Sequence, residues 1–106
     1  MPANKLIKGK SFGTSNVLFR PHLFSFLKNV SRLYEIVIFT SSISEYAEEV
    51  VDSFRDYVDH VLCREHTIKK RGETIKDLSR LGRNLDSVLI VDNQPSNFRL
   101  QKENGI

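Results

Sequence analysis

Polar and apolar residues along this chain follow helical and extended periods in alternation. Over residues 22–33 the apolar positions Leu23, Phe26, Leu27, Val30 and Leu33 recur every three or four residues, which predicts an amphipathic helix. Pro21 suits its first turn, where a missing N–H costs nothing, and a short extended run over residues 17–19 leads into it. "EIVIFT", residues 35–40, is different in kind: its apolar residues do not alternate with polar ones. That predicts a strand covered on both faces, as in a parallel sheet. Ser44 is a good N-cap for a second helix, with Ala47, Val50, Val51 and Phe54 as its inner stripe. Glu45, Glu48, Glu49 and Asp52 face water, and acids in the first turn suit the helix dipole.

"YVDHVL", residues 57–62, is a weaker strand, interrupted by Asp59 and His60. Residues 63–75 are mixed and basic, a loop or hairpin around Gly72. Asp77 can cap a short helix through Leu81, which Gly82 stops. "SVLIVDN", residues 87–93, then predicts a second fully buried strand. Strand, helix and strand in this order, with continuously apolar strands, point to an α/β domain with a parallel sheet.

At 106 residues the chain is one small domain or part of a larger one, and 40% apolar residues suffice for a core. The net charge of +3 is mild, and no basic run exceeds Lys69-Lys70-Arg71, which reads as a solvated loop rather than a nucleic-acid patch. Cys63 is the only cysteine, so no internal disulfide can form. It follows a strand and reads as a small buried hydrophobe. No apolar run approaches the roughly 20 residues of a membrane span, and "MPANKLIKGK" lacks the apolar core of a secretory signal. His22, His60 and His66 show no ligand spacing; no zinc site is expected, with His60 structural and His66 in a loop. An intracellular setting is the expectation.

The chemistry gathers at the strand ends. In an open α/β sheet, ligands bind beyond the carboxyl ends of the strands. There the first buried strand delivers Thr40, Ser41 and Ser42, and the second delivers Asp92 and Asn93. A hydroxyl before a helix N-terminus can hold a phosphate oxygen. Asp and Asn offer the hard oxygens Mg²⁺ prefers, and Lys76 could supply a positive point charge for the same anion. Each signal has an ordinary reading as well: Asp-Asn-Gln-Pro as a turn, Thr-Ser-Ser as a capping loop, Lys76 as a surface lysine. Only the constellation suggests phosphoryl transfer, where positioning and charge neutralisation dominate.

"FRPHLFSFL", "YEIVIFTSSISEYA", "LCREHTIKKRGETIKDLSRLGRNLDSVLIVDNQPSNF" and "QKENGI" resemble the phosphatases that act on the C-terminal domain of RNA polymerase II. These are the small CTD phosphatases of the haloacid dehalogenase superfamily, and the resemblance runs from about Phe19 to Ile106. It implies a doubly wound parallel sheet of Rossmann type, Mg²⁺ dependence and a covalent aspartyl-phosphate intermediate. Position by position, Thr40 matches the hydroxyl that binds the phosphoryl group, with Ser41 beside it at the substrate. Lys76 matches the lysine that neutralises the phosphate, Asn93 the metal ligand and Asp92 its acidic neighbour. Arg64, in "CREH", matches an arginine at the substrate face or else forms a surface ion pair with a glutamate. The implied partner is a phosphoprotein such as a phosphorylated polymerase tail, without direct nucleic-acid binding or a membrane segment.

One departure from the family is large. Its first motif, a strand ending in D-x-D-x-T, carries the nucleophilic aspartate. Here the aspartates are Asp52, Asp56, Asp59, Asp77, Asp86 and Asp92, and no two stand one residue apart. A covalent mechanism without its nucleophile does not run. The family also continues past "ENGI", so the resemblance implies a partial domain truncated at both ends, with residues 1–16 a poorly defined segment, rather than a dedicated pseudoenzyme. The first-motif strand of the family lies between the strands ending at Thr40 and Asn93. Its absence is expected to leave apolar edges exposed or to force them together, so that the chain is unstable, aggregates or needs a complementing strand. The alternative is a non-catalytic binding module like the mitochondrial import subunit of the same fold, although a pure receptor has no need of Asn93. A nucleotide-binding or receiver-like domain is poorly supported, because no G-x-G-x-x-G or P-loop is present.

Overall fold

The computed structural model describes residues 10–12 and 15–106. β1 (Lys10–Phe12) pairs antiparallel with β2 (Ser15–Val17). The extended run expected over residues 17–19 keeps only Val17 in a strand; Phe19 turns inward to 7% exposure. Much of residues 1–16 lies outside the described residues.

The helix of the second segment forms as α1 (Leu23–Val30). Pro21 lies ahead of it rather than in its first turn, and His22 stands at the N-cap with a left-handed φ of 69°. Leu27 is buried, but Phe26 (51%) and Leu33 (78%) are exposed, Leu33 because it falls beyond the last helical turn. Phe19, Leu27, Val51 and Phe54 form the core cluster. Within it Phe19 meets Phe24 and Phe54 edge to face, with centroids 5.4 and 6.1 Å apart, an arrangement favoured by the ring quadrupoles.

β3 (Val37–Phe39) runs parallel to β4 (His60–Leu62), with Ile38 opposite Val61. Asp59, which interrupts the apolar pattern, closes the entry of this pair. Its carboxylate accepts from Ile36 N–H at 2.8 Å, and its own N–H donates to the Ile36 carbonyl at 2.9 Å. β3 is half-buried rather than covered on both faces. α2 (Ser44–Val51) begins one residue earlier than Ser44 as a cap predicts: extended Ile43 is the N-cap, and Ala47 N–H donates to its carbonyl at 3.0 Å. Ala47 and Val51 are buried as the stripe requires. Phe54 is buried too, but beyond α2, at a non-helical kink in the 3₁₀ turn Asp52–Tyr57.

Residues 63–75 contain the hairpin. β5 (Ile68–Lys70) pairs with β6 (Glu73–Ile75) across a two-residue turn, Arg71-Gly72. Both turn residues have positive φ, 53° and 78°, as a type I′ turn demands. Asp77 then caps the 3₁₀ turn Leu78–Leu81, accepting from Ser79 N–H at 3.0 Å, and left-handed Gly82 ends it.

The second buried strand does not form. Residues 88–91 make one isolated parallel bridge, Ile90 to Gly105, with Ile90 N–H donating to Asn104 O at 2.8 Å. Leu89 and Val91 remain 60% and 70% exposed. A continuous apolar run becomes a buried strand only where neighbours cover it, and among the described residues no strand lies alongside this one. Leu100 is likewise exposed (53%), whereas Phe98 packs the C-terminal segment inward. Among the described residues the sheet consists of three two-stranded pieces. The parallel β3–β4 pair, flanked by helices, is that of an α/β domain and is compatible with a haloacid dehalogenase-like fold.

Candidate functional site

The carboxyl end of β3 and the end of the 88–91 segment meet at a cavity of about 460 Å³ lined by Thr40, Ser41, Lys76, Asp92 and Asn93. Five of the six residues expected at a site therefore share one hollow. Phe39, Glu73, Thr74, Gln94, Ser96 and Asn97 line the rest of its wall.

Thr40 is fixed from both sides. Its N–H donates to the Leu62 carbonyl of β4 at 2.9 Å, and its Oγ1 accepts from Ser42 N–H at 3.1 Å. The hydroxyl hydrogen stays available to an anion in the cavity. Arg64 does not line the hollow and forms no ion pair with a glutamate among the described residues. It braces the loop from behind: its Nε donates to the Ser41 carbonyl and its N–H to the Ser42 carbonyl, both at 2.9 Å.

In the same hollow, Lys76 and Asp92 form a buried pair, Nζ to Oδ2 2.7 Å, with side chains only 10% and 8% exposed. Nζ also lies 5.9 Å from the centre of the Phe39 ring, a cation–π distance. Burial pushes the Asp92 carboxyl up, but donation from Lys76, from Gln94 N–H (2.9 Å) and from the Asn97 amide (3.1 Å), with the Lys76 charge, outweighs it. The net position is below the usual carboxylate range, and Asp92 is held ionised.

Sequence reasoning missed Asn97. Its side chain donates to Asp92 while its backbone carbonyl accepts from Lys76 N–H at 2.8 Å, so one residue holds both members of the pair. Only its position two residues after Pro95, within reach of Asp92, hinted at this. Gln101 does similar work nearby. It is buried, accepts from Leu78 N–H at 3.0 Å and donates to Asp77 Oδ1 at 2.9 Å.

The donor set fits Mg²⁺. Asp92 has two carboxylate oxygens and three protein donors, which leaves it acceptor capacity. Asn93 is exposed at the cavity, and its side chain has no hydrogen-bond partner among the described residues. One or two such oxygens completed by water are what this ion takes from a protein.

Two other expectations concern side chains away from the cavity. Cys63 is buried, and burial, then Glu65, Glu48 and Glu45, push its thiol up and away from the thiolate. Donor atoms of Cys63, Glu65 and His66 lie within 4.8 Å of one another, a grouping that histidine spacing does not reveal. His66 Nδ1 is engaged there, accepting from Cys63 N–H at 2.9 Å. His60 Nε2 lies 3.0 Å from Glu35 Oε2, which also accepts from Arg83 at 2.7 Å.

An α/β domain with hydroxyl, ammonium, carboxylate and amide groups around one strand-end hollow has the makings of a phosphate-handling site. The sequence profile of NLI interacting factor-like phosphatases matches residues 3–106, and the chain belongs to that family. It is 42% identical over 92 residues to the human "CTD small phosphatase-like protein", covering 85% of this chain and 33% of the relative. It is 43% identical over 93 residues to the "Probable C-terminal domain small phosphatase" of Dictyostelium discoideum, covering 85% and 30%. Identity to the "Mitochondrial import inner membrane translocase subunit TIM50" of Kluyveromyces lactis is 42% over 90 residues, 82% of this chain and 19% of the relative. The chain thus spans about a third of the length of the phosphatases it matches. Among the described residues, no helix is long and apolar enough to cross a membrane.

Proposed function

We propose that residues 1–106 are part of the catalytic domain of a Mg²⁺-dependent phosphoserine/phosphothreonine protein phosphatase, and that they hold its phosphate- and metal-binding half. What carries this reading is the convergence of Thr40, Ser41, Lys76, Asp92 and Asn93 on one cavity. In it, Thr40 donates a hydrogen bond to a phosphate oxygen, Ser41 borders the substrate, and Lys76 offsets the phosphate charge. Asp92 and Asn93 hold the metal, which when bound supplies further charge neutralisation. Asn97 and Arg64 act at one remove, keeping the pair and the Thr40 loop in place. The substrate is a phosphoprotein, a phosphorylated polymerase tail being the type suggested by the relatives' names, in the nucleus or cytoplasm.

The nucleophile is the missing part. Without a D-x-D-x-T strand these 106 residues are inactive by themselves. Hydrolysis of p-nitrophenyl phosphate with Mg²⁺ tests this, comparing the chain alone with one extended upstream by a strand ending in that motif. Turnover is expected only from the longer protein, and turnover by the 106 residues alone overturns the proposal.

Likeness to the import translocase subunit supports a second reading, a non-catalytic protein-binding module, mitochondrial in that case. Capture of peptides that is indifferent to EDTA would favour it; loss of capture with EDTA favours the phosphatase.

A further inference from the structure

We propose that a basic groove beside the cavity seats acidic residues next to the phosphorylated residue of a polypeptide substrate; this rests on reading the cavity as a phosphate site. The two hollows share one strand. Side chains of a strand alternate between faces, and β6 divides its residues accordingly. Thr74 lines the cavity, as does Lys76 just past the strand, while Ile75 lines a second hollow of about 330 Å³. Glu73, at the strand's start, borders both and is the wall between them. Lys70, directly across from Glu73 on β5, lines the second hollow with Arg71, Arg99 and Leu100.

Its charge is one-sided. Arg99 is spoken for by Glu73 at 3.0 Å. Lys70 and Arg71 are exposed and have no acidic partner within salt-bridge distance among the described residues. Three cations thus face one carboxylate, beside the exposed Leu100, which can take the aliphatic stem of a side chain. Arg71 also occupies a left-handed turn position (φ 53°) where glycine or asparagine is sterically cheaper. The hollow is small and open, suited to one or two carboxylate side chains of an extended peptide.

Exposed ion pairs are individually weak, so the groove sets preference rather than affinity. Fluorescence anisotropy with the 106-residue chain tests it, using a phosphoserine peptide with glutamates beside the phosphoserine, the same peptide with alanines there, and unphosphorylated versions of both. The glutamate-flanked phosphopeptide is expected to bind about threefold to tenfold tighter than its alanine counterpart, with the advantage shrinking as salt rises. Lys70→Gln with Arg71→Asn, which tolerates the turn, should abolish the advantage and leave binding of the alanine-flanked phosphopeptide unchanged. Equal binding of the two flanks, an equal loss of both in the variant, or equally tight binding of a short RNA overturns the groove. Failure of every peptide to bind overturns both groove and cavity. A flank preference without preference for the phosphorylated forms supports the groove and overturns the phosphate reading of the cavity instead.

Discussion

Leu89 and Val91 project from one side of a segment that makes a single bridge, and both remain largely in solvent. Two consecutive same-side apolar residues beside unpaired backbone groups are a template for another strand. Full burial of a leucine or valine side chain is worth about 1.5–3 kcal/mol. Covering the 60% and 70% now exposed would therefore return about 1–2 kcal/mol each, roughly 2–4 kcal/mol together. At about 1.4 kcal/mol per decade, that corresponds to roughly 30- to 1,000-fold in an association constant. Replacing Leu89 by lysine and Val91 by threonine removes most of this and places a charge on the edge. Sedimentation velocity across a hundredfold range of concentration should show the native chain self-associating, and the double variant needing a concentration roughly 30- to 1,000-fold higher to do so. A native chain that stays monomeric at hundreds of micromolar and melts in one sharp, reversible transition would refute the reasoning.

The monomeric double variant is the background for the remaining tests. There, Lys76→Met strands the Asp92 charge in a buried site and is expected to cost about 3–5 kcal/mol at neutral pH by urea denaturation. Adding Asp92→Leu should recover most of it; a loss below about 1 kcal/mol would count against a buried pair. With Lys76 present, Asp92 titrates below its unfolded value, so its contribution is complete above the usual carboxylate range and disappears as pH falls below that range. Glu35, hydrogen-bonded first by Arg83 and also by His60, has its pKa lowered to about 2. Its carboxyl carbon should titrate near that value by NMR and return toward the ordinary range in Arg83→Gln; its stabilising effect is present above the unfolded value and lost as pH falls toward 2. Gly105→Ala would drive a methyl into the Phe98 ring and should cost about 1–3 kcal/mol; an unchanged denaturation midpoint would refute that contact.

Elements whose causes are local were legible in the sequence. The stripe of α2, the turn at Gly72, the Asp77 cap and the Gly82 stop each depend on residues a few positions apart, and all occur. The strand over residues 87–93 depends on neighbours elsewhere in the chain, and the apolar pattern cannot report whether they are present. Composition at the strand ends located the cavity residues for a similar reason: Thr40 and Asp92 follow apolar runs that fix where the tips fall. Asn97, and the bracing of the Thr40 loop by Arg64, were not legible because they are contacts with Asp92 and with backbone carbonyls, and these have no signature in residue type.

The cross-lacing of the Asp92 side has a mechanical meaning. Residues 76–78 and 92–101 are tied together through Lys76–Asp92, Asn97 and Gln101, by side chains and backbone alike. Those two stretches form a fixed jaw. The Thr40–Ser42 loop rests on β4 and on Arg64, whose guanidinium is at the surface, and is the jaw with fewer restraints. Closure around an occupant must come from that side, with amide exchange slowing at Ser41 and Ser42 while the Lys76 and Asn97 amides hold steady.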